Sequence, residues 1–111
     1  MENLFSYGTL QQDNVQLKNF GRLLEGKKDT ISGFILKDIE IKDEFVLKTS
    51  KQRFHPIISF TGNKEDRVSG TVFSISAKEL EEADSYEVDD YTRIEVTLDS
   101  GIKSWAYAHQ E

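Results

Sequence analysis

A single α+β domain with a barrel-like, mostly antiparallel sheet of six or seven strands and a few short helices is the fold this sequence predicts. Three observations lead to it. Strand-like stretches cluster along the chain, and helical patterns do not alternate regularly with them. Only two stretches carry helical spacing. At 111 residues the chain suits one core, spanning 1–111, with no Pro- or Gly-rich linker inside it. Hydrophobic residues make up only 37%, but seven Phe, four Tyr and one Trp enlarge the core, because each aromatic buries about 150–250 Å².

The elements follow in order. Asn3–Tyr7 is short and apolar-rich and ends at Gly8, as a buried strand entering a tight turn does. Asp13–Phe20 predicts a brief helix capped by Asp13 and stopped by Gly21, with Val15, Leu17 and Phe20 as its apolar positions. Thr30–Ile41 alternates with one phase shift, predicting a long bent strand with a bulge or corner at Gly33. Glu44–Thr49 and Pro56–Phe60 are further strands, the second closed by Gly62-Asn63, and His55 is placed in the loop before it. Arg67–Ile75 is a strand. Ser76-Ala77-Lys78-Glu79 fits a capping box, in which hydroxyl and carboxylate satisfy each other's backbone N–H groups. Ala77, Leu80, Ala83 and Tyr86 then mark an amphipathic helix. Tyr91–Leu98 and Ile102–Ala108 form a hairpin around Asp99-Ser100-Gly101, with Trp105 and Tyr107 on the core face.

Charge and composition exclude several functions. Acidic residues outnumber basic ones 20 to 14, and the basic residues are scattered, which argues against nucleic acid as a partner. No apolar run approaches the roughly 20 residues of a membrane span, and no basic segment leads into an apolar core at the N-terminus. There is no Cys, which removes disulfides, thiolate ligands and a Cys nucleophile together. His55 and His109 lack ligand-spaced companions, so no metal is expected. Nucleotide loops, the nucleophile elbow and the zinc-helix motif are all missing. The resulting expectation is a cytoplasmic protein with no membrane or nucleic-acid partner; the sequence leaves the oligomeric state open, with a monomer favoured.

Two local features carry chemistry. Tyr7-Gly8-Thr9-Leu10 follows a strand, and a Gly there lets successive N–H groups point into a cleft where they bind carboxylates and oxyanions; an ordinary turn is the other reading. Asp84–Tyr91 follows the capped helix. A Glu at a helix C-terminus is opposed by the dipole, which raises its pKa and suits it to proton transfer; a solvated acidic loop is the other reading, since Asp84, Glu87, Asp89 and Asp90 are all acidic.

Taken together in order, the motifs resemble the gamma-glutamyl cyclotransferase-like family, in its gamma-glutamylamine cyclotransferase-like branch. Leu4–Leu10 matches its apolar stretch and Tyr-Gly-Ser/Thr-Leu loop, and Pro56-Ile57-Ile58 its Pro-led strand. Val68-Ser69-Gly70-Thr71-Val72-Phe73 matches its Val-x-Gly-x-Val-Phe strand. Ala83-Asp84-Ser85-Tyr86-Glu87 matches Leu-Asp-x-Tyr-Glu, and Tyr91-Thr92-Arg93 matches Tyr-x-Arg. Ala83 stands where the family usually has Leu, and Val88 where Gly commonly follows the Glu.

The resemblance implies a barrel-like fold and a small enzyme. Tyr7, Gly8, Thr9 and Leu10 would bind the substrate through backbone N–H groups, and Glu87 would be the general acid and base. The implied reaction releases 5-oxoproline from a γ-glutamyl amine or peptide by attack of the α-amine on the γ-carbonyl. It needs no cofactor, because the nucleophile belongs to the substrate. Tyr86, Tyr91 and Arg93 would edge or brace the cleft, with Arg93 as an ion-pair partner of a nearby carboxylate. The alternative is a binding or regulatory protein of the same fold without turnover.

Overall fold

The computed structural model describes residues 1–40, 54–86 and 91–109. The chain runs β1 (Glu2–Ser6), a 3-10 turn (Thr9–Gln11), α1 (Asp13–Phe20), β2 (Glu25–Ser32), β3 (Phe34–Glu40), β4 (Phe54–Phe60), β5 (Arg67–Ile75), α2 (Ala77–Tyr86), β6 (Tyr91–Thr97) and β7 (Lys103–His109). The expected strand at Glu44–Thr49 lies outside the described residues.

Seven strands form one sheet in the order β2-β5-β1-β7-β4-β3, with β6 on β7. The β1–β5, β2–β5, β3–β4 and β6–β7 pairs are antiparallel, and β1–β7 and β4–β7 are parallel. The sheet is therefore mixed, with antiparallel pairs in the majority. It is barrel-like without being closed: β2 and β3 are consecutive in sequence yet end the strand order on opposite sides, so the sheet curls to let Gly33 join them.

That corner divides the single strand expected over Thr30–Ile41. Gly33 has φ +88°, a left-handed conformation that a side chain disfavours. Its N–H donates to the Asp66 carbonyl at 2.8 Å, and its own carbonyl accepts from Thr61 and Gly62. The backbone groups there serve the β4–β5 connection, and the chain changes strand partner from β5 to β4. β2 also starts five residues earlier than expected, because its exposed polar half, Glu25–Asp29, carries no apolar alternation. His55 belongs to β4, opposite Ile39 of β3, and not to a loop.

β1 lies between β5 and β7 and is buried on both faces, Leu4 at 0% and Phe5 at 1% exposure. One face carries Leu4, Phe73, Ile75 and Tyr107 beneath the helices, which contribute Val15, Leu80, Ala83 and Tyr86. The other lines the inside of the curl with Phe5, Ile31, Phe34, Ile58, Val72 and Ala106. The strands approach closely at Gly70. A Cβ there would stand 2.4 Å from the Ser6 carbonyl oxygen and 2.8 Å from the Phe5 ring.

Both helices form where their signals lie, and only α1 is corrected in detail. α1 takes Gln12 as its N-cap residue and uses no side-chain cap; Asp13 instead sits in the first turn, where the dipole favours its charge. Gly21 stops it at φ +70°, donating to the Leu17 carbonyl. Its buried face carries Val15 and Gln16, while Leu17 is 52% exposed. Gln16 tolerates burial because its amide donates to the Leu10 carbonyl and accepts from Leu24 N–H, both at 2.8 Å. At α2 the capping box forms: Ser76 N–H donates to Glu79 Oε1 at 2.9 Å and Glu79 N–H to Ser76 Oγ at 3.1 Å. Arg22 adds a two-pronged contact, Nε and Nη2 each 2.8 Å from a Glu79 oxygen. The Arg22 bond and the Ser76 N–H hold the Glu79 carboxyl at about 2, below the usual 4.5.

Two stability predictions follow from these contacts. Gly70→Ala should cost about 3 kcal/mol, since the methyl meets backbone that cannot move aside. Gly21→Ala, with open space around the site and only its left-handed φ against it, should cost about 1–2 kcal/mol; urea melts of the two variants give the order. Glu79→Gln should cost about 1–2 kcal/mol at pH 7, allowing for the exposure of Arg22. Because the folded pKa lies below the unfolded one, this contribution is present above pH 4.5 and is lost as pH falls toward 2. Melts across that range should show the parent and variant converging.

Candidate active site

The geometry of the cleft follows from how β7 is shared. β6 pairs along its whole length, from Thr97↔Lys103 to Tyr91↔His109. A strand has two edges, so β1 and β4 divide the other: β1 meets Trp105 and Ala106, and β4 meets Ala108. The two strands diverge at Tyr107. There the Tyr7 hydroxyl donates to the Tyr107 carbonyl and accepts from Ile58 N–H at 3.3 Å. One phenol thus links β1, β7 and β4.

Beyond that point β1 turns away from β4 and a cleft opens, lined by Phe5 to Leu10, Pro56, Tyr91 and Tyr107. Its enclosed part holds about 20 Å³, space for one water or one small polar end-group. Gly8 packs against Pro56, and a Cβ on it would lie 3.1 Å from the ring. The 3-10 turn begins here: Gln11 and Gln12 N–H donate to the Gly8 and Thr9 carbonyls. The first amides of such a turn have no acceptor within it. Thr9 and Leu10 are buried, at 7% and 2% exposure.

The sequence-predicted residues fall around this cleft as follows. Tyr7, Gly8, Thr9 and Leu10 form its floor. Tyr91, on β6, reaches across and donates its hydroxyl to the Pro56 carbonyl at 2.6 Å. Tyr86, in the last turn of α2, hydrogen-bonds Thr9 Oγ1 at 2.9 Å across 77 residues of sequence. Arg93 stands beside Asp84, Nε to Oδ1 3.5 Å, and stacks over Trp105 at 4.6 Å. Glu87 lies outside the described residues. Two contributors went unmarked in the sequence: Gln16, which holds the Leu10 carbonyl, and Tyr107, which was read as core alone. Tyr107 is indeed buried, but its hydroxyl donates to Asp84 Oδ1 at 2.6 Å.

A larger hollow of about 350 Å³ lies near the start of β1, lined by Asn3, Glu25, Lys27, Val72 and Ile102 among others. The Asn3 amide there donates to the Lys103 carbonyl at 3.1 Å. Among the described residues no cluster of His, Asp and Glu could hold a metal ion, and no helix is long and apolar enough to cross a membrane.

Residues 4–111 match the family model described as gamma-glutamyl cyclotransferase, AIG2-like. No curated protein sequence matches the chain. Among solved structures it is similar to a gamma-glutamyl cyclotransferase, with TM-score 0.73 and 18% identity over 99% of this chain and 67% of that one. Two solution structures from Arabidopsis thaliana are also similar. One has TM-score 0.70 and 22% identity, the other 0.71 and 24%, each over 97% of this chain. The chain spans 61% and 68% of those two proteins. At these identities the likeness is one of fold.

Among the described residues the Tyr7 hydroxyl joins backbone groups of two strands, and the Tyr91 hydroxyl holds the Pro56 carbonyl. Tyr7→Phe should therefore cost about 2–3 kcal/mol and Tyr91→Phe about 1 kcal/mol, read as melting-temperature losses in that order.

Proposed function

The chain belongs to the gamma-glutamyl cyclotransferase, AIG2-like family, and from that premise we propose that it is a small cyclotransferase releasing 5-oxoproline from a γ-glutamyl amine or γ-glutamyl peptide. Family membership supports cyclotransferase activity in general. The observation that carries the finer reading is the bond between Thr9 and Tyr86, which joins the Tyr7–Leu10 loop to the residue immediately before Glu87.

In this reading the loop amides of Gly8, Thr9 and Leu10 hold an anionic end of the substrate. The small enclosed volume suits one such group, with the rest of the substrate in the open part of the cleft. Holding the γ-glutamyl chain folded brings its α-nitrogen onto its own γ-carbonyl, and effective molarity does the rest. The C–N bond to the leaving amine breaks as the ring C–N bond forms. Glu87 takes in turn the two protons that the α-ammonium loses on becoming the ring N–H and passes each to the leaving nitrogen, so its charge is restored after each turnover. No cofactor is required by this chemistry.

The test is a screen of γ-glutamyl amines and peptides for 5-oxoproline release, with two variants beside the parent. Glu87→Gln should keep the fold and lower turnover by about 10²–10⁴-fold, some 3–5 kcal/mol of barrier. Thr9→Ala leaves the loop amides in place and removes one hydroxyl contact, so it should cost about tenfold or less. Parent-like turnover by Glu87→Gln would overturn the mechanism. Saturable binding of a γ-glutamyl compound without turnover by the parent would replace the enzyme with a binding protein.

A further inference from the structure

We infer that Tyr107 and Asp84 are positioning residues: they set the last turn of α2 against the Tyr7–Leu10 loop, and the proton transfer proposed for Glu87, the next residue in the chain, depends on that setting. The inference rests on the proposed cyclotransferase reading. Its basis is that Tyr107 serves both halves of the site by different atoms. Its carbonyl accepts from the Tyr7 hydroxyl, and its own hydroxyl donates to Asp84 Oδ1 at 2.6 Å.

Asp84 stands near the carbonyl end of α2, where the helix dipole opposes a carboxylate. Donors compensate it there: the Tyr107 hydroxyl and, at 3.5 Å, Arg93 Nε. Arg93 is itself held over the Trp105 ring, and Trp105 Nε1 donates to Glu2 at 3.0 Å. The turn of α2 that ends at Tyr86 is thus tied to β6 and β7 through Asp84, and to the loop through Tyr86 and Thr9. Glu87 is the next residue in the chain. Two attachments on different sides of one helical turn fix its rotation as well as its distance.

The separation of roles gives a specific kinetic signature. Tyr107→Phe removes the bond to Asp84 and keeps the carbonyl that holds Tyr7. Substrate binding by the loop should therefore survive while proton transfer suffers. On ε-(γ-glutamyl)-lysine and γ-glutamyl-alanine, kcat should fall about tenfold, the rate equivalent of one hydrogen bond, with KM within about twofold of the parent. Asp84→Ala, which also releases Arg93, should lose at least as much. The double variant should fall well short of the product of the two single losses, because both changes break the Tyr107–Asp84 bond. Asp84→Asn retains an oxygen for the Tyr107 hydroxyl and should recover most of kcat. Amide exchange at Tyr86 should quicken in Tyr107→Phe and Asp84→Ala but not in Asp84→Asn.

A parent-like kcat in Tyr107→Phe and Asp84→Ala, or multiplicative losses in the double variant, would overturn the inference. So would unchanged amide exchange at Tyr86. If the parent turns over neither compound but Tyr86 exchange responds as stated, the attachment stands and the cyclotransferase reading of these substrates fails.

Discussion

The hydroxyl of Tyr7 sits where β1 and β4 part along one edge of β7. β7 gives its other edge to β6, and at the junction the Tyr7 phenol meets the Tyr107 carbonyl and the Ile58 N–H. A backbone polar group left unpaired away from water is costly. The Tyr7 phenol answers both, donating to one and accepting from the other. It lets two parallel neighbours diverge without losing the sheet, and that divergence is the cleft. The site is in this sense a by-product of how the sheet branches, and Tyr7 belongs to the scaffold as much as to the site.

The close packing around β1 depends on the same arrangement. Gly70 permits β5 to press against Ser6 and Phe5, and Gly8 permits the chain leaving β1 to press against Pro56. Larger residues at either point would push β1 away from its neighbours and with it the Tyr7 ring. Gln16 completes the support from α1, holding the Leu10 carbonyl with one end of its amide and Leu24 with the other. The Tyr7–Leu10 turn is consequently held by contacts from β4, β7, α1 and α2. Such over-determination is what the proposed binding through backbone amides would require, because amides cannot adjust as side chains do.

The electrostatic pattern of α2 differs between its ends. At the start, Glu79 is favoured by the dipole, by Ser76 N–H and by the Arg22 guanidinium, all in the same direction, and its pKa is driven to about 2. At the end, Asp84 opposes the dipole and is held by Tyr107 and Arg93. The first carboxylate stabilises the helix. The second lies where a polar site needs anchoring, and its partners come from the two strands that close the cleft.

Features that depend on a few consecutive residues were legible in the sequence itself. The capping box at Ser76–Glu79, the stop at Gly21, the Asp99–Gly101 hairpin turn and the amphipathic spacing of Leu80, Ala83 and Tyr86 all arise from bonds spanning one turn, so spacing encodes them. The ordered motifs carried the family. Features set by distant partners were not legible. The polar start of β2 is a strand only because β5 supplies its ladder, and the Gly33 corner separates two strands only because β4 and β5 claim its backbone groups. Leu17, read as an apolar position of α1, is exposed, while Gln16 is buried because Leu10 and Leu24 give its amide partners. Tyr107 read as an aromatic core residue, which it is; that it also joins loop and helix depends on Tyr7, 100 residues away, and on Asp84, 23 away. Residue type and local spacing determine which groups need partners. Only the folded chain determines which partners come within about 3 Å of them.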